Sequence, residues 1–277
     1  MHEVADWRLL EVRDGLLEVS DVGAGEPVVV VPTALTADEL VPLARRLAAG
    51  GGHRVVTYHR RGYAGSSPPL HPSSVGADAA DLAALLEALG AAPAHVVGAS
   101  YSGAVALELA LTRPELVLGL VLAEPPPVFV PAAPDFRAAC LDLVAAHRAS
   151  PEAALERIGT LTGGPAWRAD LEHVLPGAVA DLERDAPTFF EADLPALLAW
   201  DFTEDDAREI AVPVLHVGGS ASGPWFREVR EHVTAWFPGA EGVVVEGAGH
   251  TLAVTHTDEV AGAIASFLAR HATTPTA

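Results

Sequence analysis

The stretch HVVGASYSGAVALELA, residues 95–110, constrains this chain more than any other. An apolar run enters a knot of small residues, Gly98-Ala99-Ser100-Tyr101-Ser102-Gly103, and a helical pattern leaves it at once. A strand that turns directly into a helix has no room for bulk at the turn. A large side chain at 98 or 102 would collide with the strand and helix on either side. So tight a turn lifts the Ser100 hydroxyl clear of its surroundings. It also aims the N–H of Tyr101, at the positive end of the following helix, into the same space.

The rest of the chain supplies a frame for that turn. Apolar runs at 7–12, 16–22, 27–31, 54–58, 94–97, 117–123, 212–217 and 242–245 read as strands. PVVVV at 27–31 has no polar alternation, as expected of a strand covered on both faces. Segments 37–49, 74–89, 102–111, 225–235 and 258–269 carry apolar residues at helical spacing. Alternating strands and helices predict an α/β chain, with a mostly parallel twisted sheet and helices on both faces. The alternation lapses from 125 to 211, where only helical patterns occur. That gives a core of 1–124 and 212–277 with a helical cap, 125–211, inserted after strand six.

Composition excludes several classes of function. A net charge of −20 argues against nucleic acid or anionic membranes as partners, since both reward clustered basic side chains. Cys140 is the single cysteine, so no internal disulfide or cysteine metal cluster can form; this suits a reducing, cytoplasmic location. No apolar run is long enough to span a membrane, and the charged start MHEVADWRLL gives no expectation of a signal peptide. The histidines are scattered without H-E-x-x-H spacing, and Gly23-Ala24-Gly25 precedes a strand rather than a helix. Neither a metal nor a cofactor is expected.

Strand, G-x-S-x-[G or S], helix is the pattern of a nucleophile elbow, with Ser102 in place of the usual last glycine. YHRRGYAGSSPP at 58–69 matches a D-x-R-G-x-G-x-S loop, with His59 in place of the acid. EGAGHTLAVTHTDEV, from Glu246, matches a C-terminal G-x-G-H segment. On these residues the chain resembles the α/β-hydrolase superfamily of serine hydrolases along nearly its whole length. The resemblance implies that Ser100 is the nucleophile and His250 its base. It also implies an oxyanion hole from the N–H of Tyr101 and an N–H in the loop after strand three, where Ala34 is the candidate. Pro32 has no N–H to offer. An elbow serine argues against epoxide hydrolase or haloalkane dehalogenase chemistry, which on this fold uses an aspartate.

Such a histidine needs a carboxylate. Most of the superfamily carries it after strand seven, but HVGGSASGPW at 216–225 has Ala221 there and no acid nearby. Glu124, ending strand six in LVLAEPPP, is the substitute. A minority of the superfamily, including zearalenone lactonase-like members, places its acid there, and the V-P-x-x-L loop at Val31–Leu35 resembles theirs. Two competing readings stand beside it: Glu124 as a partner of Arg60 or Arg61, and an acid supplied by Asp201, Asp205 or Asp206.

The cap concentrates aromatics at Phe129, Phe136, Trp167, Phe189, Phe190, Trp200 and Phe202. An apolar pocket is expected, with Leu35, Trp167, Phe190 and Trp200 as candidate walls. The expectation is a cofactor-independent serine hydrolase cleaving a hydrophobic ester or lactone, including macrolactones of the zearalenone type. Its rivals are a binding protein of the same fold with weak turnover, a C–C hydrolase or acyltransferase with the same triad, and a haloperoxidase side activity. Substrate identity and oligomeric state stay open.

Overall fold

Val28, Val29, Val30 and Val31 are all fully buried, which requires a layer on each face of their strand. The computed structural model, which describes residues 7–273, places that strand third of eight. The strands are β1 (Arg8–Val12), β2 (Gly15–Gly23), β3 (Glu26–Val31), β4 (His53–Tyr58), β5 (Ala94–Ala99), β6 (Val117–Ala123), β7 (Val214–Gly219) and β8 (Glu241–Val245). They form one sheet in the order β1-β2-β4-β3-β5-β6-β7-β8. β1 with β2 and β2 with β4 are antiparallel; every other pairing is parallel. The first six residues, part of the segment from which no signal peptide is expected, lie outside the described residues.

The sheet's two faces receive alternate valines of β3. Val29 and Val31 enter a core with α2 (Val75–Leu89) and α3 (Tyr101–Thr112). Val28 and Val30 enter a second core with α1 (Val41–Ala49) and the C-terminal helix Thr257–Arg270. This is the mostly parallel sheet with helices on both faces expected from the alternation, and the α/β-hydrolase fold that the resemblance implies. Most observed boundaries fall within two residues of the sequence reading. The helix expected from 37 starts at Val41 instead, because Pro42 in its first turn favours a start there.

Between β6 and β7 the chain is helical: α4 (Ala133–Ala149), α5 (Pro151–Gly163), α6 (Trp167–Val174), α7 (Ala178–Thr188), α8 (Leu194–Ala199) and α9 (Glu204–Glu209). A π-turn over Phe189–Asp193 joins α7 to α8. After β7 come α10 (Pro224–Trp236), then β8, a short α11 (Leu252–Thr255) and α12, the C-terminal helix. No helix among the described residues is long and apolar enough to cross a membrane. The parallel strands end on one edge of the sheet, where β5, β6 and the chain after β8 deliver Ser100, Glu124 and His250.

Candidate active site

Ser100 sits between β5 and α3 with φ +51° and ψ −124°, a left-handed backbone that is costly for a residue with a side chain. The neighbours show why they must be small. A Cβ on Gly98 would lie 2.4 Å from the Ser102 carbonyl oxygen, and one on Gly103 would lie 2.7 Å from Pro125 Cβ. Ser102, the departure from the usual glycine, is fully buried and takes part in the turn. Its hydroxyl accepts the Ala99 N–H and donates to the Ala99 carbonyl, both at 2.9 Å. The extra hydroxyl therefore fastens the turn from inside, in a place where an unpaired polar group would be penalised.

Three side chains from distant parts of the sequence meet above this turn. His250 Nε2 lies 3.0 Å from Ser100 Oγ, and His250 Nδ1 lies 2.8 Å from Glu124 Oε2. A carboxylate at Nδ1 holds the proton there, which leaves the Nε2 lone pair to accept from the serine hydroxyl. Glu124 is 1% exposed, and its other oxygen accepts the Gly219 N–H at 2.8 Å. Its backbone φ is +47°, so this acid, like the serine, is held in a strained conformation by the end of its strand. Phe226 of α10 stacks on the His250 ring at 4.0 Å, a contact with no signature in the sequence.

The competing assignments for the acid end elsewhere. Arg60 pairs with Asp78 and Asp193, and Arg61 with Asp81 and Asp14; neither is an ion-pair partner of Glu124 among the described residues. Asp201 is 92% exposed at its side chain and lies 3.9 Å from Arg137. Asp205 pairs with Arg208, and Asp206 closes a capping box with Thr203 at the start of α9. Ala221 is exposed on the loop after β7.

The two candidate oxyanion donors, the N–H groups of Ala34 and Tyr101, have no acceptor among the described residues, and both residues line the same cavity as Ser100. The next N–H in the loop, that of Leu35, is occupied: it donates to the Tyr63 hydroxyl at 2.9 Å. Tyr63 in turn donates to Asp193 of the cap at 2.5 Å. Arg60 completes the cluster. Its guanidinium binds both oxygens of Asp193 at 3.0 and 2.7 Å, Asp78 at 2.8 Å and the Thr33 carbonyl at 3.3 Å. It also lies over the Tyr63 and Tyr101 rings, 5.0 and 4.5 Å from their centroids. Burial works against the Arg60 charge, but Asp193 and Asp78 hold it protonated. The cap, the loop after β3 and the residue after Ser100 are thus tied through one buried guanidinium.

A cavity of about 770 Å³ opens above Ser100 and His250. Leu35 lines it, as expected. The other three candidate walls do not. Phe190 is fully buried and stacks on His147; Trp167 packs against Gly159; Trp200 stacks on Phe202 and donates to Glu108. These rings hold the cap together, because large aromatics at helical spacing bury most area by packing on neighbouring helices. Phe136, Phe189, Trp225 and Phe226 supply the aromatic wall instead. Cys140 also lines the cavity, but burial pushes its thiol up to about 12, so it stays protonated and is no competing nucleophile. Among the described residues no three His, Cys, Asp or Glu side chains converge as metal ligands would.

Two further histidines are buried outside the triad. His59, standing where the loop motif has an acid, bridges Glu18 at 2.9 Å and Asp38 at 2.8 Å. Burial pulls its pKa down, but the bonds to Asp38 and Glu18 outweigh it and the net shift is upward. His216 of β7 is 1% exposed, and neither ring nitrogen has a partner among the described residues. Burial pushes its pKa down to about 4, with Glu124 pulling upward and Arg230 downward. The unfolded chain takes up that proton near pH 6.5, and the folded chain only near pH 4. Stability from this group is full above pH 6.5 and is lost as pH falls toward 4. The loss is about 3 kcal/mol at most. Urea unfolding at pH 7 and pH 4.5 should show His216→Leu losing less stability between the two than wild type does, by about 2–3 kcal/mol. Equal losses would mean that His216 is not buried and neutral.

A serine, an imidazole and a carboxylate thus stand in hydrogen-bonded sequence at the edge of a parallel sheet. The chain matches the alpha/beta hydrolase family over residues 28–263, and it belongs to that family. Among curated proteins, it is 30% identical to polyketide synthase ThaQ of Burkholderia thailandensis over 279 aligned residues, 94% of this chain but 12% of the synthase. It is 48% identical to lipase LipV of Mycobacterium tuberculosis over 61 residues, 22% of this chain and 23% of the lipase. The chain thus spans well under two thirds of either relative. Among solved structures, a thermophilic esterase from Thermogutta terrifontis superposes with a TM-score of 0.81 at 21% identity, covering 97% of this chain and all of that one. An enol-lactonase from Burkholderia xenovorans LB400 gives 0.76 at 19% identity over 95% of this chain and all of that one. At such identities the likeness concerns the fold.

Proposed function

We propose that this protein is a cofactor-independent serine hydrolase of hydrophobic carboxylic esters or lactones, with residues 125–211 acting as the cap of its substrate pocket. The observation that carries the reading is the relay from Ser100 through His250 to Glu124, at 3.0 and 2.8 Å. In the acylation step Ser100 Oγ attacks the carbonyl carbon while its proton passes to His250 Nε2. Glu124 stabilises the imidazolium that results. The Tyr101 and Ala34 N–H groups receive the oxyanion. His250 then gives the proton to the departing alcohol oxygen, and the C–O bond breaks. Water, deprotonated by the same nitrogen, attacks the acyl carbon; the bond from that carbon to Ser100 Oγ breaks as His250 returns the proton to Oγ, and the acid is released. In a lactone the alcohol and the acid remain one molecule.

A serine nucleophile of this kind reacts with a fluorophosphonate probe. Wild type should be labelled at Ser100, and Ser100→Ala should not. A protein with this fold that binds small molecules without turnover would leave wild type unlabelled. A panel of p-nitrophenyl esters and macrocyclic lactones, each run against Ser100→Ala, then separates esterase from lactonase. The match to a polyketide synthase over 94% of this chain favours a polyketide-derived acyl group. A macrolactone of the zearalenone type is one such substrate, and the cavity of about 770 Å³ has room for a ligand of that size.

A further inference from the structure

Among the described residues Glu39 is the one carboxylic side chain lining the main cavity, and the triad does not use it. It sits at the end of the loop that begins with Thr33 and Ala34, just before α1. It has no hydrogen-bond or ion-pair partner among the described residues, whereas nearby Asp38 is engaged by His59. Glu39 is half-buried, and a carboxyl facing a mostly apolar cavity without a protein partner is free to pair with a ligand.

Its position suggests which part of a substrate it meets. Glu39 and His250 both line this cavity, near enough for the imidazole to pull the Glu39 pKa downward. In the reaction the imidazole must face the departing oxygen, because that is where it delivers its proton. Leu143, Leu194 and Leu197 of the cap supply an apolar stretch of wall suited to an acyl chain. We propose that Glu39 is a specificity residue that hydrogen-bonds a hydroxyl group on the alcohol half of the substrate. The preferred substrate is then a hydroxylated ester or lactone rather than a plain alkyl ester. This rests on the hydrolase reading above and deepens it.

The state of the carboxyl suits that role. Burial pushes it up to about 7, against the opposing pull of His250, so near neutrality both its forms are accessible. It can therefore accept from a hydroxyl as the carboxylate or donate to one as the acid. A neutral hydroxyl is also the cheaper partner to bring in. Among the described residues only one carboxyl lines the cavity to balance a cation, and its other polar side chains include hydroxyls such as Thr251 and Thr255 and the imidazoles of His250 and His256.

The test uses two esters that differ by one group, 2-hydroxyethyl butyrate and n-propyl butyrate. Wild type should favour the hydroxy ester at least about tenfold in kcat/KM, as a hydrogen bond to a chargeable group does. Glu39→Leu should bring that ratio close to one, and Glu39→Gln should retain part of it, as an amide still pairs with a hydroxyl. A wild-type ratio near one, or an unchanged ratio in Glu39→Leu, overturns the assignment. So does a preference for butyrylcholine over both esters, which would make the site one for cations. Hydrolysis of p-nitrophenyl butyrate that depends on Ser100 tells the two levels apart. If it is present without the hydroxyl preference, only the Glu39 role falls. If it is absent along with labelling of Ser100, the hydrolase reading falls and takes the Glu39 role with it.

Discussion

Glu124→Gln should lower kcat about 1,000- to 10,000-fold while leaving the fold intact. The substitution keeps shape, and its amide oxygen can still accept the Gly219 N–H that Glu124 now holds at 2.8 Å. What it removes is the negative charge opposite His250 Nδ1. An amide NH₂ turned toward that nitrogen would force the other tautomer, with the proton on Nε2, and Nε2 could then no longer accept from Ser100. The measurement is steady-state hydrolysis of an activated ester by wild type and variant, with thermal unfolding as the control. The rate of fluorophosphonate labelling should fall in parallel. A variant that turns over within tenfold of wild type, equally folded, would move the acid's role to another carboxylate.

Asp193→Ala should cost about 3–5 kcal/mol of stability, since it breaks a buried ion pair from one side. Asp193 and Arg60 are each 2% exposed, and the aspartate holds two guanidinium nitrogens and the Tyr63 hydroxyl. Without it, Arg60 keeps Asp78 and the Thr33 carbonyl but loses its bidentate partner. Urea unfolding of the whole chain reads the loss. Pairing the change with Arg60→Met should cost less than the sum of the two single changes, because the second substitution removes the orphaned charge. Strict additivity would show that the pair does not act as a unit. Tyr63 loses its acceptor too, so the loop that carries the Ala34 N–H should loosen. The remaining folded molecules of Asp193→Ala should then show a lower kcat on any ester the wild type cleaves.

The sheet is legible in the sequence because its strands are local. A run such as PVVVV needs only its own composition to announce a doubly covered strand, and the small residues around Ser100 announce the turn. That Glu124 and His250 come to one edge of the sheet is legible because each ends or follows a strand whose direction the alternation sets; the roles proposed for them come from the resemblance. The Arg60 cluster is not legible in this way. Arg60 and Asp193 are 133 positions apart, one before α2 and one in the π-turn of the cap, and no spacing rule links them. The same holds for Phe226 on His250, since α10 advertises an amphipathic face but not which ring it stacks on. The cap aromatics mislead for a related reason: pattern shows that Trp167, Phe190 and Trp200 are buried, but burial against another helix and burial against a ligand look alike. Ser102 is a smaller case. Read alone it is a tolerated deviation, and only the two bonds to Ala99 show it fastening the turn.

The acid's seat at the end of β6 makes Glu124 the last residue before Pro125-Pro126-Pro127 and the whole helical insertion. In this chain the start of the helical insertion and the carboxylate behind the imidazole share one joint. Grafting a different helical insertion onto this scaffold would therefore have to begin downstream of the three prolines, so that Glu124 keeps its bonds to Gly219 and His250. The segment after β7 carries no acid, but recutting the entrance there would have to spare Gly219, whose N–H holds Glu124, and Phe226, which stacks on His250.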